Sequence, residues 1–218
     1  DVIVARDLLL AEYTGARYHL AHASTLGSVR LMREAKSRGL SVTAEVTPHH
    51  LLLTDAAVIG YDTFCKVNPP LREEADIEAL RAALADGTID AIATDHAPHT
   101  SLEKDCEFSY AKPGVIGLEL CFGLLLGLVG QNGLTLGRLI DALSTRPARI
   151  AGIDPPTLRE GALAELTLVD PEARWSPARG SLRSKSDNTP FWGRELCGQV
   201  LCTVSGGRVV FDRAGADR

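Results

Sequence analysis

The chain has no basic excess, no paired-cysteine motif, no apolar run fit for a bilayer and no internal repeat. Each absence removes a class of function. Asp and Glu outnumber Lys and Arg by 28 to 23, for a net charge of -5, so nothing suggests a surface for nucleic acid or an anionic membrane. The five cysteines (Cys65, Cys106, Cys121, Cys197 and Cys202) are odd in number and widely spaced, with no Cys-x-x-Cys. That argues against a thiolate zinc site or a disulfide framework and for reduced thiols packed inside a cytoplasmic protein. The longest apolar stretch, Val115 to Gly130, is interrupted by Glu119, Gly117, Gly123 and Gly127; it falls short of a membrane span and reads as a buried helix. No signal peptide is visible. The chain opens instead in an amphipathic helix with no initiator Met and no lead-in strand, which points to the C-terminal portion of something longer.

What is present is an ordinary globular composition, 45% hydrophobic and 23% charged over 218 residues, in two textures. Through about residue 157, short strands alternate with helices. Helices are expected at 2–13, from a Ser24 or Thr25 cap to Gly39, at 73–84, at 117–130, at 135–144 and near 147–151. Strands are expected at 17–21, 40–46, 64–67 and 91–94, with a long functional loop at 96–114. Strand–helix alternation implies a parallel sheet, and four strands make half of a (β/α)8 TIM-type barrel. From residue 158, short strands at 163–169, 199–205 and 208–211 around tight turns such as Gly206-Gly207 suggest a small β-rich subdomain.

All six histidines lie between positions 19 and 99, at the ends of the expected strands. The fourth strand runs out into Ala93-Thr-Asp-His-Ala-Pro-His99. By itself this could be a loop in which Asp95 caps a helix and the histidines are solvated. The other strand ends argue otherwise, because they offer His22, then His49 and His50, then Asn68. His19 and His22 are an odd number of residues apart, so on a strand they point to opposite faces; His22 is the better candidate for an interior ligand and His19 a core histidine. His49 and His50 are expected to shape a turn or support the site. Pro69 and Pro70 fix the backbone after Asn68. Convergence of such groups at one end of a parallel sheet is what a barrel active site requires. Imidazole plus carboxylate without thiolate suits a catalytic zinc, with Asp95 the acceptor of a proton from activated water.

Six stretches carry a resemblance: His19-Leu-Ala-His22-Ala-Ser-Thr, Val42-Thr-Ala-Glu-Val-Thr-Pro-His-His-Leu51, Lys66-Val-Asn-Pro-Pro-Leu-Arg72, Ala93-Thr-Asp-His-Ala-Pro-His99, Pro113-Gly-Val-Ile-Gly-Leu-Glu119 and Ser186-Asp-Asn-Thr-Pro-Phe191. In this order they resemble the C-terminal part of the bacterial type I dihydroorotases, of the amidohydrolase superfamily. The resemblance implies reversible cyclisation of N-carbamoyl-L-aspartate to L-dihydroorotate in pyrimidine synthesis. It implies that His22 and Asp95 bind one or two zinc ions, that Asp95 also shuttles the proton, and that Asn68, His99 and the backbone at Pro113 and Gly114 hold the substrate. It further implies a homo-oligomer at full length, with aspartate transcarbamoylase a possible partner. The His-x-His pair and other ligands that the family carries in its first half are not in this sequence. Two ligands are too few for a catalytic zinc, so the 218-residue chain alone is expected to bind zinc weakly, to be inactive and to be poorly soluble through unpaired strand edges. Allantoinase, dihydropyrimidinase and a non-catalytic homologue acting as a transcarbamoylase scaffold are the alternatives.

Overall fold

A computed structural model describes residues 1–215. Two separate three-stranded sheets organise them. The first holds β1 (Tyr18–Leu20), β2 (Val42–Val46) and β3 (Ala91–Ile92), all parallel, with Tyr18 opposite Val42 and Glu45 opposite Ala91. The second is antiparallel, built from β4 (Leu166–Trp175), β5 (Leu196–Ser205) and β6 (Arg208–Asp212).

The helices around the first sheet form where the apolar spacing places them. Helix α1 (Val2–Thr14) ends on Gly15 in the left-handed conformation, and α2 (Leu26–Ser37) is capped by Thr25, whose hydroxyl accepts from Ser28 N at 3.1 Å. Helix α3 (Pro48–Leu52) follows β2 directly, and α4 (Glu74–Asp86) stops at a left-handed Gly87. One core joins them: Val4 and Leu8 from α1, Val29 and Met32 from α2, Ala44 and Val46 from β2, and Leu80 and Leu84 from α4.

Three expectations are corrected. The segment 64–67 is not a strand: Thr63–Cys65 is a 3-10 turn, and β2 pairs directly with β3. The two prolines that follow Asn68 have no N–H for a ladder, and Lys66 O instead accepts from Gly114 N at 2.8 Å. The first sheet thus has three strands rather than four. Helix 117–130 shrinks to α6 (Cys121–Leu126): the chain before it runs through a turn, with Leu120 N donating to Gly117 O at 3.2 Å, while Ile116 N donates to Asn188 O and Gly117 and Leu118 N to His96 Nδ1. The loop 96–114 contains α5 (Ser101–Lys104), a single turn closed by a capping box between Thr100 and Glu103. Farther on, α7 (Leu136–Ile140) runs through a π turn at Asp141–Thr145 into α8 (Arg146–Ile150).

A second apolar cluster, Leu120 and Leu124 with Phe191 and Leu196, packs α6 against β5. The approach is close at Gly198, at φ +86°, where a Cβ would lie 2.4 Å from Leu126 Cδ2. This contact binds the chain around residue 191 to the segment leading into α6. Among the described residues, no helix is long and apolar enough to cross a membrane.

Lys104 shows how the 100–112 loop is held. Its side chain is buried, and Nζ donates to Thr63 O at 2.9 Å and Lys112 O at 2.8 Å. Burial, with the nearby Lys66 charge, pulls its pKa down to about 8. In the unfolded chain the amine keeps its proton to about 10.5. Between those values the unfolded state binds more protons than the folded one, so this group adds stability as pH rises through the window. Comparing wild type with Lys104→Met by urea unfolding from pH 7.5 to 10.5, the difference is expected to move steadily in favour of the wild type. A pH-independent difference would show that burial does not strain the charged amine.

Candidate active site

The first sheet ends in two residues of unusual backbone. His22, two residues past β1, has φ 53°, and Asp95, three past β3, has φ 48°. Non-glycine residues rarely adopt the left-handed region, and where they do the strain often marks a functional site. The backbone is tied down on both sides: Ala23 N donates to Glu45 O at 2.8 Å and Ala93 N to Val46 O at 3.1 Å. Both chains thus leave the sheet beside the end of β2. His22 Nε2 and Asp95 Oδ1 come to 3.7 Å, each side chain about 30% exposed. The two sequence-predicted ligands therefore face one another at the sheet's C-terminal end.

Between His19 and His22 lies a residue that sequence reasoning missed. Glu45, on β2, has Oε1 3.0 Å from His22 Nδ1 and Oε2 3.2 Å from His19 Nε2, and His19 Nδ1 pairs with Thr43 Oγ1 at 2.7 Å. The expectation that His19 and His22 face apart is corrected: the strand ends at Leu20, and the left-handed turn at His22 swings its ring back toward β2. The His22–Glu45 contact is close but angled off the ring's N–H axis, so the buried Nδ1 has no aligned partner. Glu45 itself is pulled down to about 2; burial opposes ionisation, and the two imidazoles more than offset it. The carboxylate in turn raises His22, against the effect of burial and with help from Asp95. The signal that could have found Glu45 was its place in the polar alternation Thr43, Glu45 on a strand otherwise buried.

His49 and His50 lie in α3, both buried, their ring centroids 4.5 Å apart. Burial drives His49 well below the ordinary imidazole value and His50 to about 4, so both are neutral at physiological pH. His50 Nδ1 pairs with Thr47 Oγ1 at 2.7 Å and its Nε2 donates to Pro69 O at 2.9 Å. His50 thereby supports the Asn68-Pro69-Pro70 turn, as expected of a supporting group, and Asn68 is left exposed at its start.

The remaining predicted residues meet at two segments lying side by side. His96 and Val115 form a parallel bridge, and Ala97 N donates to Val115 O at 2.9 Å. His99 Nε2 donates to Pro113 O at 3.0 Å. At Gly114, φ +136°, an added Cβ would fall 2.7 Å from Ala97 Cβ and 3.0 Å from His99 Nε2, so only glycine fits this approach. His99, four residues beyond Asp95, is thus one unit with Pro113 and Gly114. Cys65 and Cys121 are pushed up to about 11 and about 12, chiefly by burial, and are inert thiols. Among the described residues no group of three or more His, Cys, Asp or Glu side chains is arranged to hold a metal.

The amidohydrolase family model matches residues 7–210. The chain belongs to the amidohydrolase family. Among curated proteins it is 53% identical over 220 residues to a dihydroorotase from Anaeromyxobacter dehalogenans (strain 2CP-C), covering 100% of this chain and 51% of that protein. It is 52% identical over 211 residues to a dihydroorotase from Geobacter sp. (strain M21), covering 97% of this chain and 50% of the relative. The chain spans about half the length of these relatives. Among solved structures it superposes on an L-hydantoinase (dihydropyrimidinase) from Arthrobacter aurescens with TM-score 0.89 at 30% identity, and on a D-hydantoinase (dihydropyrimidinase) from Thermus sp. with TM-score 0.88 at 27%. Each comparison covers 96% of this chain and 48% of the other. The fold is therefore that of the amidohydrolases, of the TIM-barrel type.

Proposed function

We propose that residues 1–157 form the second half of a (β/α)8 barrel, with residues 158–218, of which 216–218 lie outside the described residues, a small β-rich subdomain beside it, and that the chain serves a cytoplasmic dihydroorotase of pyrimidine synthesis. The observation that carries the reading is the 53% identity to a dihydroorotase over the whole chain, against 30% to the hydantoinase from Arthrobacter aurescens. The hydantoinases share the fold. They share less of the sequence.

Zinc fits the donor set. His22 Nε2 and Asp95 Oδ1 lie within reach of one ion or of two adjacent ones, and imidazole with carboxylate is a ligand pair zinc accepts. The pair is short of the three protein ligands usual at a catalytic site, so the reading requires further donors from outside these residues. Bound there, zinc would supply Lewis acidity and make water nucleophilic at neutral pH.

The chain's own residues do the rest. Asp95 takes the proton that water gives up as its oxygen adds to the ring amide carbon. It delivers that proton to the ring nitrogen as the C–N bond breaks, giving N-carbamoyl-L-aspartate; cyclisation runs the same steps backward. Asn68, His99 and the backbone at Pro113 and Gly114 hold the substrate, which is a small anionic cyclic amide. Retention of His22 and Asp95 disfavours a scaffold without catalysis.

The test compares this chain alone with the same chain joined behind the first half of the Anaeromyxobacter dehalogenans relative. Alone, it is expected to bind zinc weakly and to leave dihydroorotate unchanged. Joined, it is expected to hydrolyse dihydroorotate in preference to allantoin and dihydrouracil. A joined protein that prefers either of the latter, or acts on none, overturns the assignment.

A further inference from the structure

The segment 186–191 belongs to neither sheet, yet one of its side chains reaches both of the segments to which substrate contacts are assigned. Asn188 is 2% exposed. Its Nδ2 donates to Ala97 O at 2.8 Å and to Gly114 O at 3.0 Å, and its Oδ1 accepts from His99 N at 3.1 Å. Its backbone carbonyl accepts from Ile116 N at 3.0 Å. The amide's two protons and its oxygen are all in use, on the two segments that carry His99, Pro113 and Gly114. Neighbouring residues fix the staple in place: Thr189 is fully buried, and Phe191 is buried against Leu120, Leu124 and Leu196.

We propose that Asn188 is a positioning residue for substrate: by joining the 97–99 and 113–116 segments through one buried amide, it sets the spacing between the His99 ring and the Gly114 backbone to which the cyclic amide binds. The inference rests on the dihydroorotase reading and extends it to the segment before β5. The pattern of partners makes the role specific to an amide. Two carbonyls demand two donors, and an N–H demands an acceptor; only Asn or Gln supplies both, and Gln is one methylene too long for a closed, buried slot. Asn188→Asp keeps the shape but turns a carboxylate oxygen toward two carbonyl oxygens, so the segments are driven apart while the core beneath them is unchanged.

The test uses the joined protein with zinc. For Asn188→Asp the KM for dihydroorotate is expected to rise by at least about tenfold, with kcat changed far less, since the site loses ground-state contacts rather than Asp95 chemistry. Asn188→Ser, which keeps a small donor and acceptor and remains foldable if the Asp variant does not, is expected to raise KM by about threefold to tenfold. Hydrogen exchange of the His99 amide is expected to quicken in both. A KM within twofold of the unsubstituted protein in the folded variants, even with faster exchange, overturns the proposal and leaves Asn188 a purely structural clip. So does a loss confined to kcat. If the unsubstituted joined protein itself ignores dihydroorotate, the function is at fault; if it works and the variants keep their KM, only the role of Asn188 falls.

Discussion

Replacing Asp95 by Asn in the joined protein is expected to lower the rate of dihydroorotate hydrolysis by about a thousandfold while leaving the fold intact. The size follows from the work assigned to one carboxylate. A positioned acid–base group contributes roughly 10²–10⁴ in rate, and the same oxygen lies 3.7 Å from His22 Nε2, where a metal ligand is wanted. Asn is the informative substitution because it isolates the chemistry. Asp95 sits at φ 48°, a conformation Asn tolerates as readily as Asp, and its side chain is about 30% exposed, so no buried partner is orphaned. The amide can neither accept the proton nor offer a charged ligand. Rates on dihydroorotate and zinc uptake by chelator competition, measured together, decide the matter. A variant within tenfold of the parent rate would take Asp95 out of the reaction.

The largest effect on stability is expected away from the site, at Asp90. This carboxylate, 5% exposed, accepts from Ala44 N at 2.9 Å and from Lys36 Nζ at 2.6 Å, with Arg146 Nη1 at 3.9 Å. It joins α2, β2 and α8 from the residue just before β3. Asp90→Ala leaves a buried amide N–H without an acceptor and an ammonium without its counter-charge. Removing one partner of a buried pair costs about 3–5 kcal/mol, and Lys36, still in partial contact with water, brings the expectation to about 3 kcal/mol. Urea unfolding of the parent and variant chains measures it. A loss under about 1 kcal/mol would mean that water replaces the carboxylate at little cost.

Asp90 also marks where the sequence is hard to read. It stands inside the run Ile89-Asp90-Ala91-Ile92, whose apolar neighbours announce a buried strand and conceal that a charge is buried with it. The helices α1, α2 and α4 are legible because burial of one face imposes a 3.6-residue repeat, and Gly15 and Gly87 mark their ends. His22, Asp95, His99, Pro113 and Gly114 are legible as strand-end and loop residues. The meeting of His22 with Asp95 follows from parallel strands ending on one side, which is a property of topology. Glu45 and Asn188 are different. Each acts by contacts to residues 23 or more positions away in the chain; Glu45 leaves only its polar alternation with Thr43 as a local sign, and an Asn in a loop leaves none. The absent strand at 64–67 fails for the opposite reason: its local preference is extended, but the ladder that would make it a strand is already taken by β3 pairing with β2.

The left-handed turns at His22 and Asp95 set two selective pressures against each other. Each holds strain of about 1–3 kcal/mol that glycine would release, so variation favouring heat resistance alone drifts toward glycine at both positions. Glycine carries neither an imidazole nor a carboxylate. On the roles proposed for His22 and Asp95, a lineage adapting to high temperature finds its gains elsewhere, in the helices or the antiparallel sheet, and leaves these two turns as uncomfortable as they are.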